Sequence, residues 1–213
     1  RLDDIPRVGG KNAALGELMH GLKAHHIRIP DGFAVTVAAY RHFCTEAGID
    51  KTIKDHLRHI DRHNIRELKK HGVAIRRCFV NAVLPAELTD MIIEAYQELG
   101  KKIDEKNPRV AVRSSATAED LPGASFAGQQ ESFLHISGEA QLLEAVKKCF
   151  ASLFTDRAIA YRIDKGFAHE IPAISVLVQH MVRADTGAAG TLFTIDPETG
   201  FNHIAVVHAA WGL

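Results

Sequence analysis

The apolar pattern of the chain changes character once, near Asn107 and Pro108. Before this point, apolar residues recur at the three- and four-residue spacing of amphipathic helices. After it, the run Arg109–Ser115 alternates polar and apolar residues as a half-buried strand does. Because one element cannot satisfy both periods, the pattern predicts an α+β fold, with a helix-rich part over residues 1–106 and a sheet-containing part over 107–213.

Helices are expected throughout the first part. Asn12 is the predicted N-cap of the first helix, and the turn before Phe33 leads into a short strand over 33–36. The remaining helices are predicted over 37–47, 50–60, 63–80 and 86–99, the last entered through Pro85 and closed by Gly100.

Strands and helices are both expected in the second part. An apolar stripe at helical spacing, from Leu142 to Phe154, predicts a buried helix, and Asp156 is the predicted cap of a helix that ends at Lys165–Gly166. Strands are predicted over 109–115, 131–136, 173–182, 191–195 and 203–209. Turns as well as helices separate these strands, which favours an antiparallel or mixed sheet over a Rossmann repeat.

Composition excludes several classes of protein. Lys and Arg number 26, as do Asp and Glu, and zero net charge argues against a protein devoted to nucleic acid or anionic membranes. The three cysteines form no CxxC pair, and no apolar run approaches the ~18 residues of a membrane span. We therefore expect a cytoplasmic protein. The first and last residues, Arg1 and Leu213, interrupt the pattern abruptly, so we expect a fragment of a longer chain.

The first candidate for chemistry is Gly9-Gly10-Lys11-Asn12, which precedes a predicted helix. Glycines let the backbone approach a ligand, Lys11 supplies a positive charge, and a helix N-terminus attracts anions. The segment is not a Walker A loop, which needs Ser or Thr where Asn12 stands. A plain Gly-rich turn before a helix is the alternative.

The second candidate is the segment from Arg113 to Gln130, rich in hydroxyl groups and glycine. Arg113 ends a strand, and the loop that follows offers hydroxyl and backbone N–H groups of the kind that bind polyphosphate. It also places Phe126 among small residues, which is unusual for a solvent-exposed loop. An ordinary surface loop is the alternative.

Other polar residues give weaker signals. Gln179 ends an apolar strand and could offer its amide to a flat heterocycle, although such a residue more often marks a strand leaving the core. Asp196 and Glu198 could bind a metal but lie in a good turn sequence. Three histidines share a helical spacing among charged residues and are interpreted as a solvated face: His56, His59 and His63.

Several blocks, taken together, resemble the nucleotide-binding domain of the phosphoenolpyruvate synthase (pyruvate, water dikinase) family of phosphoenolpyruvate-utilising enzymes. The blocks are Val8–Glu17, Val110–Gln130, Cys149–Ala158, Phe193–Phe201 and Ala210–Leu213. They run in order along nearly the whole chain, and only residues 45–105 are uninformative.

The resemblance implies an ATP-grasp fold of the pyruvate phosphate dikinase N-terminal type, and a phosphotransferase with paired acceptors. Such enzymes convert pyruvate, ATP and water into phosphoenolpyruvate, AMP and phosphate with Mg²⁺, through a phosphohistidine on a swivelling domain. Carried over, Lys11 and Arg113 would neutralise the ATP phosphates, and the loop from Thr117 to Gln129 would close over them. Within that loop the expected contacts are Thr117, Ser125, Gly128 and Gln129; Gln179 and the Met181 backbone would meet the adenine.

The resemblance also places the Mg²⁺ ligands, the phosphohistidine domain and the pyruvate domain beyond Leu213. The fragment alone is therefore expected not to turn over, and to bind ATP weakly if at all. Pyruvate, phosphate dikinase and rifampicin phosphotransferase share these motifs, so the final phosphate acceptor stays open. A nucleotide-sensing module without catalysis is the alternative of a different class.

Overall fold

Helices occupy most of the first hundred residues, as their apolar spacing predicts. The computed structural model describes residues 2–58, 60, 64–116, 131–166 and 173–212. Its helices are α1 (Ile5–Gly21), α2 (Val37–Glu46), α3 (Ile49–Leu57), α4 (Ile65–Asn81), α5 (Ala86–Ile103), α6 (Glu139–Ala151) and α7 (Asp156–Lys165). Its strands are β1 (Gly32–Val35), β2 (Val110–Ala116), β3 (Ser132–Ile136), β4 (Ile174–His180), β5 (Ala188–Phe193) and β6 (Val206–Trp211).

Four strands form one sheet in the order β1-β4-β2-β3, and every neighbouring pair is antiparallel. The strand from the helix-rich part, β1, therefore lies at an edge beside β4, which comes about 140 residues later. The prediction of an α+β fold with an antiparallel or mixed sheet is confirmed in its antiparallel form.

One face of this sheet is covered by helices. Val110 and Val112 on β2 and Val176 and Val178 on β4 are buried in a single hydrophobic core. On the helical side the core is rich in aromatic rings: Phe150 of α6 lies edge-on to Tyr40, with ring centroids 5.3 Å apart. The apolar stripe is thus confirmed as a core helix, with its last residues in a short 3-10 helix over Ser152–Phe154.

Several predicted helix ends differ from the structure, including that of α3, which ends at Leu57 and not at residue 60. α1 begins at Ile5, and Asn12 is a buried residue within the helix, not its N-cap. α5 continues through Gly100, which is buried, and ends where Asp104 adopts a left-handed conformation at φ 58°. α7 is capped by Thr155, whose hydroxyl oxygen accepts from the Ala158 N–H, so Asp156 is its first residue and not its cap.

The contacts divide the chain into two compact units, residues 1–181 and 182–213. The second unit is a hairpin in which β5 pairs with β6 from Ala188–Trp211 to Phe193–Val206. Its turn is held by Asp196, whose carboxylate accepts from the Glu198 N–H. Many of its large apolar side chains are exposed, including Trp211 at 90%.

Candidate functional site

The sheet face opposite the helical core carries the predicted site residues of β2 and β4. Arg113 lies opposite Leu177, and Ser115 lies opposite Ser175. Because side chains alternate along a strand, these four residues share one face, and Gln179 shares it too. Val112 and Val178, one residue away, point into the core. The alternation predicted for Arg113 is confirmed, since it lies on the face away from the core.

A break in α1 lies against this face. Gly9 has φ 74° and ψ 162°, which is not helical, and the helix resumes at Gly10. Gly10 and Lys11 therefore begin a new helical run after the break. The sequence indicated a helix starting after the glycine pair, and the break produces such an N-terminus two residues earlier than Asn12.

Gly9 is required at this break by its surroundings. A Cβ atom at Gly9 would lie 2.4 Å from the hydroxyl oxygen of Ser115 and 2.7 Å from its carbonyl oxygen. The glycine thus lets the α1 backbone lie directly on the end of β2. The sequence predicts that the glycine pair approaches a ligand, whereas at Gly9 the structure shows a close approach to the sheet.

Hydrogen bonds fix the resumed helix to the sheet. The Asn12 amide donates to the Ser175 hydroxyl at 2.8 Å, and that hydroxyl lies within reach of the Val8 and Ser115 carbonyl oxygens. Ser175 and Ser115 are fully buried, or nearly so. Among the described residues, no hydrogen-bond partner meets the Asn12 Oδ1 or the Ser115 hydroxyl. The network holds the turn that carries Lys11 at a set position on the face that carries Arg113.

Lys11 and Arg113 are both exposed. Within the described residues, no hydrogen bond or ion pair engages the Arg113 guanidinium. An arginine in this state keeps its five donors for an incoming anion, and its planar group suits a phosphate. The arrangement can therefore bind an anionic group on the open face of the sheet.

Gln179 and Met181 are held by neighbours at the end of β4. The Gln179 amide donates to the Pro30 carbonyl at 3.1 Å, which leaves its side-chain oxygen as an acceptor. The Met181 N–H donates to the Arg109 carbonyl at 2.9 Å, so the group that this backbone can still offer is its carbonyl oxygen. The Met181 backbone can therefore meet the adenine only as an acceptor, whereas the Gln179 amide keeps its oxygen and its second N–H.

The turn before β1 supports this strand end. Its Asp31 carboxylate accepts from the Lys102 ammonium at 2.6 Å, and its backbone oxygen accepts from the His180 N–H at 2.8 Å. The His180 ring in turn lies 3.7 Å from a Glu105 carboxylate oxygen. These contacts connect the end of α5 to the end of β4 and restrict where Gln179 can lie.

A cavity of about 260 Å³ opens between α1 and the β1 side of the same face. Its wall is mostly apolar, formed by Leu15 and Met19 of α1 together with Phe33, Ala34 and Leu177 of the sheet. Charged residues enter its lining only at the start of α1, as Asp4 and Arg7, which are paired at 3.0 Å. Such a wall suits a flat or apolar group.

The predicted phosphate loop joins β2 to β3. Thr117, Ser125, Gly128 and Gln129 lie outside the described residues, so their assignments stay predictions. The described residues at the two ends of the loop are tied together, because the Ser114 hydroxyl donates to the Glu131 carbonyl at 3.3 Å. The loop therefore leaves and returns to the sheet next to Arg113.

Among the weaker candidates, Asp196 and His56 have local partners. In the hairpin unit, the Asp196 carboxylate accepts from the Thr199 hydroxyl, which lowers the pKa of Asp196, as expected of a turn residue. His56 is half-buried and bonded to His71, so the solvated-face interpretation is wrong for His56; His59 and His63 lie outside the described residues. The described part of the chain holds no group of three or more side chains able to bind a metal.

Comparison with known families decides the relationship. Residues 5–213 match the family described as the pyruvate phosphate dikinase AMP/ATP-binding domain. The chain belongs to this family. Membership agrees with the resemblance seen in the sequence blocks, and it covers α1 from its first residue, including the Gly9 break. Among the helices that the structure describes, none has the length and apolar character of a membrane span.

Three curated relatives match the chain along nearly its whole length. The chain is 48% identical to phosphoenolpyruvate synthase of Helicobacter pylori over 210 residues, covering 99% of this chain and 26% of that protein. It is 45% identical to phosphoenolpyruvate synthase of Escherichia coli over 212 residues, and 45% identical to probable phosphoenolpyruvate synthase of Staphylothermus marinus over 213. These two matches cover 100% and 99% of this chain and 26% and 25% of the relatives. The chain thus spans about a quarter of the length of these relatives.

The sequence indicates the charged residues Lys11 and Arg113 but not the residues that hold the α1 turn on the sheet. Ser175 carries a contact between α1 and the sheet, and the sequence pattern assigns it only to the strand predicted over 173–182. A signal was present, because a hydroxyl between Ile174 and Val176 must find a partner when the strand is buried. Its partners, Asn12 and the Val8 carbonyl, lie more than 160 residues away in sequence.

Proposed function

We propose that this chain is the ATP-binding part of a dikinase that transfers phosphate from ATP, through a phosphohistidine on another domain, to pyruvate. The products are phosphoenolpyruvate, AMP and phosphate. Family membership and the printed names of the relatives support this assignment. The observation that supports it most is the break at Gly9, which sets the turn before Lys11 against Ser115, a residue on the same sheet face as Arg113.

Phosphoryl transfer needs little covalent chemistry from a protein. The enzyme must position the phosphates and neutralise the negative charge that moves between them. Lys11 acts as a point charge beside a helix N-terminus, and Arg113 as a planar fork that can bind two phosphate oxygens. In the proposed role, both bind ATP phosphates, and the loop from Thr117 to Gln129 closes over them with Ser125 and Gly128 among its contacts.

The nucleotide base is assigned to the far end of β4. There Gln179 keeps an oxygen acceptor and the Met181 carbonyl lies at the end of the strand, so an exocyclic amino group of adenine has acceptors to meet. The cavity beside Leu177 offers an apolar wall on the same face. The proposed nucleotide runs along the sheet from this end toward Arg113.

The fold that we propose is of the ATP-grasp type, with residues 1–106 as its helix-rich part and 107–213 as the part with phosphate loop and adenine strand. Mg²⁺ would supply charge neutralisation at the phosphates. On the family resemblance alone, we propose that its ligands lie in segments outside this chain, and we derive no step through it. The phosphohistidine and pyruvate domains are likewise assigned to other segments of the full-length protein.

The experiment is AMP release from ATP and Mg²⁺ by a full-length protein that contains this chain, with pyruvate, phosphate or rifampicin added separately. Pyruvate-dependent release without added phosphate is the expected result. Release only with another acceptor would keep the nucleotide site and reassign the enzyme to a dikinase or antibiotic phosphotransferase. ATP binding without release under any condition would favour a sensing module. The isolated chain is expected to release no AMP.

A further inference from the structure

Two histidines from neighbouring helices meet at a corner of the molecule far in sequence from the site residues. His56 lies near the end of α3 and His71 lies within α4. Their Nδ1 atoms are 2.8 Å apart, and their rings are inclined by 63°. Both side chains are half-buried, so the pair can be reached from solvent while the packing of the two helices holds it together.

The separation of the two nitrogens fits a metal chelate. Imidazole nitrogens bind late first-row metals at about 2.0–2.1 Å, so two nitrogens subtending 90° at one ion lie about 2.8–3.0 Å apart. At a tetrahedral angle the same bonds would place them about 3.3–3.4 Å apart. The observed 2.8 Å therefore matches adjacent positions of a square-planar or octahedral ion, the geometry of Cu²⁺ and Ni²⁺.

The protonation of the pair favours the same conclusion. A hydrogen bond between two Nδ1 atoms requires one to carry the proton and the other to present its lone pair. Transfer of that proton to the Nε2 atom of the same ring leaves both imidazoles neutral with a free Nδ1 lone pair, and rotation of both rings can direct the two lone pairs at one point. A divalent ion can thus replace the bridging proton without separating α3 from α4.

The residues around His56 and His71 indicate which type of metal site the pair can form. Among the described residues, no third ligand joins the pair. Glu67 lies one turn before His71 on the same helix face, where its carboxylate lowers the cost of bringing in a positive ion. Two protein ligands with open positions differ from a closed structural zinc site, which uses four.

We propose that His56 and His71 form a two-histidine site for a late first-row divalent metal ion, of the class of Ni²⁺ and Cu²⁺, at the α3–α4 corner. The site is separate from the proposed nucleotide face and does not depend on the proposed function. A bound ion joins the two helices and stabilises this corner of the fold by mass action.

Ni²⁺ alone is the probe, because it does not oxidise the cysteines. Calorimetric titration of the chain with Ni²⁺ should give one site, and the melting temperature should rise with Ni²⁺ and return on adding EDTA. Substitution of residues outside a metal's ligand set already costs about 10- to 100-fold in affinity, so His56→Gln or His71→Gln should weaken binding at least tenfold. The melting temperature of each variant is compared with and without Ni²⁺, so a change in the variant's basal stability does not affect the Ni²⁺-induced shift.

A matched variant separates this pair from another histidine of the chain. His42→Gln, at an exposed position on α2, should bind Ni²⁺ like the unaltered chain. The proposal is overturned if His56→Gln/His71→Gln keeps the Ni²⁺ affinity, or if the thermal shift persists in that variant. It is also overturned if the unaltered chain shows no saturable Ni²⁺ site.

Discussion

Replacing Gly9 by alanine tests the structural basis of the site. The backbone at Gly9, with φ 74° and ψ 162°, lies in a region that only glycine occupies readily, and other residues pay about 1–3 kcal/mol there. The added methyl group would also lie 2.7 Å from the Ser115 carbonyl oxygen, a backbone atom that cannot rotate away. Either α1 shifts off β2 or the strain is retained.

The expected loss is therefore at least about 2 kcal/mol of unfolding free energy, the sum of a mid-range backbone strain and a partly relieved clash. Urea denaturation of the isolated chain, followed by circular dichroism, measures it. In the full-length protein the same variant should also lose ATP-dependent activity, because the clash displaces the turn that carries Lys11.

Gly21 supplies the matched control. It lies in the same helix at an ordinary backbone conformation, and a methyl group there would meet nothing within 4 Å. Gly21→Ala should stabilise the chain by about 0.5–1 kcal/mol, because alanine loses less conformational entropy in a helix. An unchanged free energy of unfolding in Gly9→Ala, or an equal response of the two variants, would refute the account of the α1 break.

Three further substitutions or modifications test the packing. Phe150→Ala should lose about 3–5 kcal/mol of unfolding free energy, because the ring is fully buried against Tyr40. Val83→Ala, at an 87% exposed position, should change the unfolding free energy little. Similar urea midpoints for the two variants would contradict the assignment of Phe150 to the core. Burial raises the pKa of the Cys44 thiol to about 12 and also raises the pKa of Cys149, so at pH 8 neither forms appreciable thiolate. Mass spectrometry after iodoacetamide treatment of the native chain should therefore find only the less buried Cys78 modified, and early modification of Cys44 or Cys149 would contradict their burial. Asp104→Gly should raise the free energy of unfolding by about 0.5–1.5 kcal/mol, because glycine accepts the left-handed conformation at φ 58° and the carboxylate is unfavourable at a helix C-terminus. Asp104→Ala removes the charge alone, so an equal gain from both variants would assign the effect to charge.

Local patterns predicted most of the elements. The helices α2 and α4 begin and end within two residues of their expected bounds, because apolar spacing and turn residues are both local properties. α5 was predicted to end at Gly100 but continues to Ile103, because tertiary packing overrides the low helix propensity of glycine. Gly100 lies against the Glu105 carbonyl, and the helix ends at Asp104. The start of α1 was missed because the break at Gly9 divides its periodicity.

The charged residues of the candidate site could be proposed from the sequence, but the residues that hold the surrounding backbone in place could not. Lys11 and Arg113 stand out as cations beside glycine-rich or hydroxyl-rich segments, which are features of a few consecutive residues. The contacts that bring them to one face depend on Ser115, Ser175 and Asn12, which are distant in sequence. Without knowledge of strand pairing, a buried serine gives no indication of which residue it bonds.

The most direct test of the central claim is the transfer of labelled phosphate from ATP to the full-length protein. Arg113→Ala should reduce the rate at least tenfold, about 1.4 kcal/mol of transition-state free energy, and Lys11→Ala should do the same. Arg77→Ala, at an exposed position on α4, should leave it unchanged. A full rate of labelling in Arg113→Ala would contradict the assignment of this sheet face to the phosphates of ATP.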